Sequence, residues 1–132
     1  MTRGDPARTA GPRVAGYTRA VSLPIGQYVR VPATVMAWDP RSLEVAEWVA
    51  TLIRERRPDL TPEHIGSTAV PGLPGKGVVD LAIATEPDQI PGIVEMLLGM
   101  GFAPQPGPDP WPPTRPMLVG SLDLDGTTYR LH

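Results

Sequence analysis

Residues 64–84 read HIGSTAVPGLPGKGVVDLAIA, and they join a Gly-Ser turn to a short apolar strand through a loop rich in proline and glycine. The strand is predicted over residues 77–84, because this apolar run has strand length and stops before a proline-containing break. Asp80 is the only polar side chain in the run. Carboxylates are rarely buried unless they are paired or bind a metal, so Asp80 is expected to have a partner.

The turn before the strand is a candidate anion site. Gly66 permits close approach of the backbone and Ser67 adds a hydroxyl donor, so this turn can face a phosphate. Asp80 follows thirteen positions after Ser67, and a carboxylate beside a phosphate-binding turn is suited to hold Mg²⁺. A Gly-Ser pair alone is more simply an ordinary turn. The two features together favour phosphate and metal chemistry.

The loop at residues 72–77 looks like a P-loop, but the match fails. A P-loop has a glycine ahead of its Gly-Lys pair and a serine or threonine directly after the lysine, whereas this chain has Val70 and Gly77 at those positions. A P-loop also leads into a helix, and this loop leads into the predicted strand. A Walker-type phosphate site is therefore excluded.

Composition limits the class of protein. The chain has 132 residues with 41% apolar content, which allows one domain with a modest core. Its net charge is −2, so nucleic acid is not a predicted partner. The absence of cysteine excludes disulfides, thiolate metal sites and cysteine nucleophiles, and it fits a cytoplasmic location. No apolar run reaches the roughly 18 residues of a membrane span, and no signal peptide is present, so no membrane partner is predicted.

The N-terminal part carries little apolar sequence. Residues 1–20 contain four arginines and one acidic residue, and they predict a disordered basic tail ahead of a domain at residues 21–132. Prolines and a glycine interrupt residues 21–35, which allows short edge strands at most. The first firm element begins at Trp38-Asp39-Pro40, where Asp39 can cap a helix that is predicted to end near Arg56.

The second half predicts a helix and a hairpin. The helix runs from about Gln89, with Asp88 as its cap, and closes at Gly101. Seven of the thirteen residues at 104–116 are proline, which predicts an extended loop. Two short strands then flank Asp125-Gly126, a strong hairpin signal. The fold class predicted from these elements is α/β of the α+β kind, with two helices, a small mixed sheet and a C-terminal hairpin.

The central block also resembles the GrpB family. The hallmark of that family is a histidine, an isoleucine or valine, Gly-Ser-Thr, a Val-Pro-Gly-Leu loop, a lysine and an apolar strand with aspartate, which matches residues 64–80. The aromatic-Asp-Pro start of the first helix and the Gly101-Phe102 pair resemble further family positions. The terminal Arg130-Leu131-His132 resembles the beginning of a late histidine motif. The resemblance runs from about residue 35 to the end of the chain.

The resemblance implies a nucleotidyltransferase-like fold and a set of site residues. It assigns Gly66, Ser67 and Thr68 to the phosphates of a nucleoside triphosphate or phosphorylated small molecule. It assigns Asp80 to Mg²⁺ and to catalysis. His132 is a second catalytic candidate on the condition that its strand pairs beside residues 77–84, and fraying of the chain terminus is the alternative.

Two further residues near the turn have open alternatives. His64 is expected to contact a phosphate or orient Asp80, and its alternative is a structural histidine that is satisfied by backbone. Lys76, the only lysine in the chain, is expected to meet a phosphate, or else to sit at the mouth of the loop. Both are kept as phosphate-binding candidates.

Two departures from the family pattern weaken the case for catalysis. The wider superfamily carries a second acid two residues after the first, where this chain has Ala82. Asp123 or Asp125 could replace that acid, although Asp125 is more simply a turn residue. The family also continues past its late histidine, so the chain resembles a C-terminally truncated member. A non-catalytic accessory or interaction domain is therefore the alternative function, and a homodimer that covers an exposed final strand is a further expectation.

Overall fold

The computed structural model describes residues 23–108 and 111–132, so the predicted tail at residues 1–20 lies outside the described part. Within these ranges the chain has two α-helices and five β-strands, which confirms the predicted α+β class. In chain order they are α1 (Arg41–Arg56), β1 (Pro62–Ile65), β2 (Asp80–Ile83), α2 (Ile90–Met100), β3 (Ala103–Pro104), β4 (Leu118–Leu124) and β5 (Thr127–Leu131). No helix in the described ranges is long and apolar enough to cross a membrane.

Helix α1 forms where the sequence predicts it. The backbone N–H of Arg41 donates to Oδ1 of Asp39 at 2.9 Å, so Asp39 caps the first turn as expected. Apolar residues at three- and four-residue spacing form the buried stripe of the helix: Val45, Ala46, Val49, Ala50 and Ile53. Burying a valine or isoleucine side chain contributes about 1.5–3 kcal/mol, so packing of this stripe holds the helix in place.

Two antiparallel sheets meet at a parallel junction. Strand β1 pairs with β2, and β3, β4 and β5 pair in that order. A parallel bridge between Val79 and Leu131 joins the two sheets. Three backbone hydrogen bonds support it, from Val79 N to Arg130 O (2.9 Å), from His132 N to Val79 O (3.0 Å) and from Leu81 N to His132 O (2.9 Å). The combined order is β1-β2-β5-β4-β3, the small mixed sheet that was predicted.

Strand β2 is shorter than the predicted range of 77–84. It begins at Asp80, because Gly77 has a φ of 79° and lies outside the β region. The carbonyl of Val78 accepts the hydroxyl of Thr68 at 3.1 Å instead of joining a ladder. This hydrogen bond therefore joins the loop just before β2 to the turn that contains Thr68.

The boundaries of helix α2 correct one expectation. Asp88 does not cap it but lies in a 3₁₀ turn at Pro87–Gln89, and no side chain caps the helix. Gln89 N donates instead to Glu86 O at 3.0 Å, so the 3₁₀ turn leads directly into the α-helix. The helix ends at Gly101 with a φ of 116°, as predicted.

The hairpin of β4 and β5 confirms its turn signal. Asp125 and Gly126 have φ values of 50° and 84°, which are the positive values that this tight hairpin turn requires. The hydroxyl of Tyr129 donates to Oδ2 of Asp39 at 2.6 Å and so ties the hairpin to the start of α1. Burial and this bond raise the pKa of Tyr129 to about 12, so the phenol keeps its proton at neutral pH.

The helices cover one face of the joined sheet. Side chains alternate between faces along a strand, and Val79, Tyr129 and Leu131 belong to the same buried cluster as the apolar stripe of α1. Asp80 and His132 follow Val79 and Leu131 directly, so they project from the opposite face. Residues 23–36 add only single bridges, Gly26 with Ser121 and Met36 with Gly75, which agrees with the expected lack of long strands there.

Candidate functional site

The Gly-Ser turn lies directly against the carboxylate of Asp80. The register of β1 and β2 pairs Ile65 with Asp80, so the residue after β1 reaches the first residue of β2. Gly66 has a φ of 79° and a ψ of −172°, a region almost restricted to glycine. A β-carbon at Gly66 would overlap Oδ2 of Asp80. The turn backbone and the carboxylate therefore form one surface.

His132 is the ionisable partner of Asp80. Nδ1 of His132 lies 3.6 Å from Oδ1 of Asp80, and the side chains are 22% and 31% exposed. Burial raises the pKa of Asp80, and His132 opposes that rise. Burial lowers the pKa of His132, while Asp80 acts in the opposite direction. Burial therefore shifts the two pKa values toward each other, while the 3.6 Å separation is an ion-pair contact longer than a hydrogen bond.

Two cations lie near this pair. Arg130 and Lys76 each lower the pKa of His132 through their positive charges. Nη2 of Arg130 donates to the backbone carbonyl of Lys76 at 2.7 Å, which fixes the loop against β5. Lys76 itself is exposed. A phosphate beside Asp80 would therefore lie near positive charge as well as near the turn.

The turn also supplies a free hydroxyl. Ser67 Oγ makes no hydrogen bond within the described ranges, and a β-carbon at Gly75 would overlap it. The glycine therefore leaves room for this hydroxyl beside the loop. The predicted donor at Ser67 is available to a ligand.

His64 and Thr68 are held by the protein on the other side of the turn. The register pairs His64 with Leu81, which packs against the core, so His64 points away from Asp80. Nε2 of His64 lies 2.8 Å from Oγ1 of Thr68. Since the Thr68 hydroxyl donates its one proton to Val78 O, Nε2 of His64 carries the proton of this bond. Thr68 is 4% exposed, and its phosphate role stays a prediction.

Sequence reasoning missed Tyr28. Its hydroxyl lies 3.2 Å from Nε2 of His132, and the two rings have centroids 5.5 Å apart. The hydroxyl therefore contacts the ring nitrogen that Asp80 leaves free. No local signal could identify this contact, because 104 positions separate the residues.

Asp80 is the one carboxylate of strand β2. Ala82 lies on the same face of β2 as Asp80. Glu63, which sequence reasoning did not consider, is paired with Ala82 across the ladder and shares that face. Residues that are diagonal in this way are about 7–8 Å apart, within reach of long side chains. Within the described ranges, no group of three or more acidic, histidine or cysteine residues could hold a metal.

Comparison with known proteins agrees with the central motif. A family model described as GrpB protein matches residues 29–132. A UPF0157 protein of Streptomyces coelicolor is 41% identical over 58 residues, covering 34% of this chain and 31% of that protein. A UPF0157 protein of Pseudomonas aeruginosa is 37% identical over 67 residues, covering 50% of this chain and 27% of that protein. The chain thus matches about a third of the length of these relatives. No solved structure matches it.

Proposed function

The chain belongs to the GrpB family, and we propose that it binds a nucleotide or another phosphorylated ligand, together with Mg²⁺, at the Gly66-Ser67 turn beside Asp80. The observation that carries the proposal is the contact between Gly66 and Oδ2 of Asp80. It puts a backbone turn and an ionisable oxygen side by side, which are the two parts that a metal-bound phosphate requires.

The residues fit Mg²⁺ only when a phosphate accompanies it. Mg²⁺ keeps several waters and is commonly held by one or two carboxylates plus the phosphates of the ligand. Asp80 supplies one carboxylate with a partly exposed side chain, and the space beside Gly66 would be filled by any β-carbon. The ion would neutralise charge on the phosphates. We expect Mg²⁺ alone to bind weakly.

Each nearby side chain has a distinct part in this proposal. Ser67 offers a free hydroxyl to a phosphate oxygen, and the positive charge of Lys76 attracts the phosphates. In a nucleotidyl transfer, an acceptor oxygen would bond to the α-phosphorus while the bond to the departing pyrophosphate breaks. The acceptor proton would pass to the imidazole of His132, which lies beside Asp80.

Calorimetry tests this proposal. ATP and GTP would be titrated into the protein with Mg²⁺ and again with EDTA. We expect a binding signal with at least one Mg²⁺-nucleotide. Asp80→Ala should weaken the affinity about tenfold or more. Asp88→Ala, at an exposed position, should have no comparable effect. Absence of heat with both nucleotides, or equal binding by Asp80→Ala, would sink the proposal.

A non-catalytic accessory domain is the second candidate. The observation that favours it is the lack of a second carboxylate on β2, where Ala82 shares the face of Asp80. Such a domain would bind phosphate weakly or not at all and act through contact with another protein. A folded protein that gives no heat with either Mg²⁺-nucleotide would support this candidate, and turnover of a nucleotide in the presence of hydroxyl acceptors would contradict it.

A further inference from the structure

A second cleft lies near the turn and does not include Asp80. It has a volume of about 300 Å³, the lower end of the roughly 300–1,000 Å³ of small-molecule sites. The start of α1, the turn and strand β5 enclose it. Its main lining residues are Met36, Trp38, Ser42, Ser67, Leu73 and Tyr129. Asp80, His132, His64 and Lys76 do not line it.

Ser42 is the unexplained group in this cleft. The residue is 1% exposed, and its hydroxyl makes no hydrogen bond with any part of the chain that the structure describes. A buried hydroxyl without a partner is unfavourable, and native proteins rarely leave one unsatisfied. Ser67, which also lines the cleft, has a hydroxyl without a partner among those residues too. The cleft therefore presents two hydrogen-bonding groups that a bound molecule could satisfy.

The charges of the cleft oppose a charged occupant. Asp39 and Arg130 line it with opposite signs. Asp39 already accepts from Arg41 N and Tyr129 OH, and Arg130 already donates to a backbone carbonyl. Their opposite charges sum to zero over the lining, so the cleft has no net charge that would favour an anion or a cation. The remaining walls combine three threonines with apolar and aromatic side chains, among them Met36, Trp38 and Leu73.

We propose that this cleft is a second site, which binds an uncharged small molecule carrying a flat apolar ring and an amide or hydroxyl group. The ring packs between Trp38 and Leu73. The polar group satisfies Ser42 Oγ. Ser67 belongs to the lining of this cleft and to the proposed phosphate site. Binding in the cleft requires no Mg²⁺, so a titration in EDTA tests it separately.

Ligand-observed saturation-transfer NMR tests the site with defined probes. Benzamide is the neutral probe, benzoate and phenyl phosphate are its charged counterparts, and every titration contains EDTA. We expect benzamide to bind more tightly than either anion. Ser42→Ala should weaken it about three- to tenfold through loss of one hydrogen bond. Leu73→Trp should abolish binding by filling the cleft, and this position is 45% exposed, so the core is not disturbed.

Asp88→Ala, at an exposed position outside the cleft, is the matched control and should leave benzamide binding unchanged. Circular dichroism checks that each variant is folded. The proposal is overturned if benzamide gives no binding signal, or if Leu73→Trp leaves that signal unchanged. It is also overturned if the anions bind as tightly as benzamide or if Ser42→Ala has no effect.

Discussion

Gly66 lies against Oδ2 of Asp80 with no room for a β-carbon between them. The position of the Asp80 carboxylate therefore requires a residue without a β-carbon at position 66. A side chain at position 66 must displace Asp80 or distort the turn, and either change alters the candidate phosphate site.

Replacement of Gly66 by alanine should damage both stability and binding. Its backbone region is nearly restricted to glycine, which costs about 1–3 kcal/mol for another residue, and the methyl group would also displace Asp80. We expect a fall of at least about 2 kcal/mol in the free energy of unfolding in urea, and loss of Mg²⁺-nucleotide binding. Gly72→Ala is the control, because Gly72 also has a positive φ of 84° but nothing within 4 Å. Equal effects of the two substitutions would contradict a role for the Asp80 contact.

The charge of Asp80 should destabilise the folded protein at neutral pH. Burial raises its pKa above the ordinary 3.8. The stability linked to this group is fully present below pH 3.8 and is lost as pH rises through the raised pKa. Asp80→Asn carries no charge at either pH. We therefore expect the free energy of unfolding of Asp80→Asn, relative to the unaltered protein, to become more favourable between about pH 3.5 and pH 7. A difference that does not change with pH would contradict the burial of this charge.

The two histidines should make the protein less stable in mild acid. Burial lowers the pKa of both His64 and His132 below 6.5. The unfolded chain therefore binds more protons below pH 6.5, and stability falls as pH decreases through the folded-state pKa values. We expect the free energy of unfolding to fall between about pH 7.5 and pH 5. His64→Gln and His132→Gln should each reduce that fall, and the double variant should remove most of it, since the chain has only 2 histidines. A double variant with the original pH dependence would refute this assignment.

Thr68 should contribute to stability through two hydrogen bonds. Its hydroxyl accepts from His64 Nε2 and donates to Val78 O. Thr68→Val keeps the shape but leaves the carbonyl and the ring nitrogen without partners, so we expect a loss of about 1–3 kcal/mol in urea unfolding. Thr61→Val, at an exposed position, should cost less than about 0.5 kcal/mol. A small effect at Thr68 would mean that water replaces its bonds.

A second carboxylate at position 82 should strengthen the metal site. Ala82→Asp adds an acid on the face of Asp80. We therefore expect the Mg²⁺ concentration that gives half-maximal nucleotide binding to fall about tenfold. The new charge stands opposite Glu63, and like charges in that arrangement cost about 0.2–1 kcal/mol. The double variant Ala82→Asp with Glu63→Gln should recover the lost free energy of unfolding and keep the stronger Mg²⁺ binding. Calorimetric Mg²⁺ titrations at fixed ATP measure the effect, and no gain in either variant would count against a metal beside Asp80.

Local signals in the sequence predict the elements better than their assembly. The spacing of Ala46, Val49 and Ile53 predicts α1, and Asp125-Gly126 predicts the hairpin, because each signal is local in the sequence. The junction of β2 and β5 has no such signal, since it joins residues that are about fifty positions apart. The register of β1 against β2 makes His64 and Asp80 project from opposite faces of the sheet. The motif gives the order of these residues along the chain but not the register between the strands.

Strand β5 is the last of the described strands in sequence, yet it lies between β2 and β4. Both neighbouring strands are therefore synthesised before β5, and each keeps an unpaired edge until β5 is made. During synthesis, α1, β1 and β2 can pack early, but the sheet closes only after residues 129–132 leave the ribosome. Such distant pairing slows folding. A nonsense codon a few positions upstream of residue 129 would therefore give two separate half-sheets with exposed edges, a target for proteases, and not a slightly shortened domain.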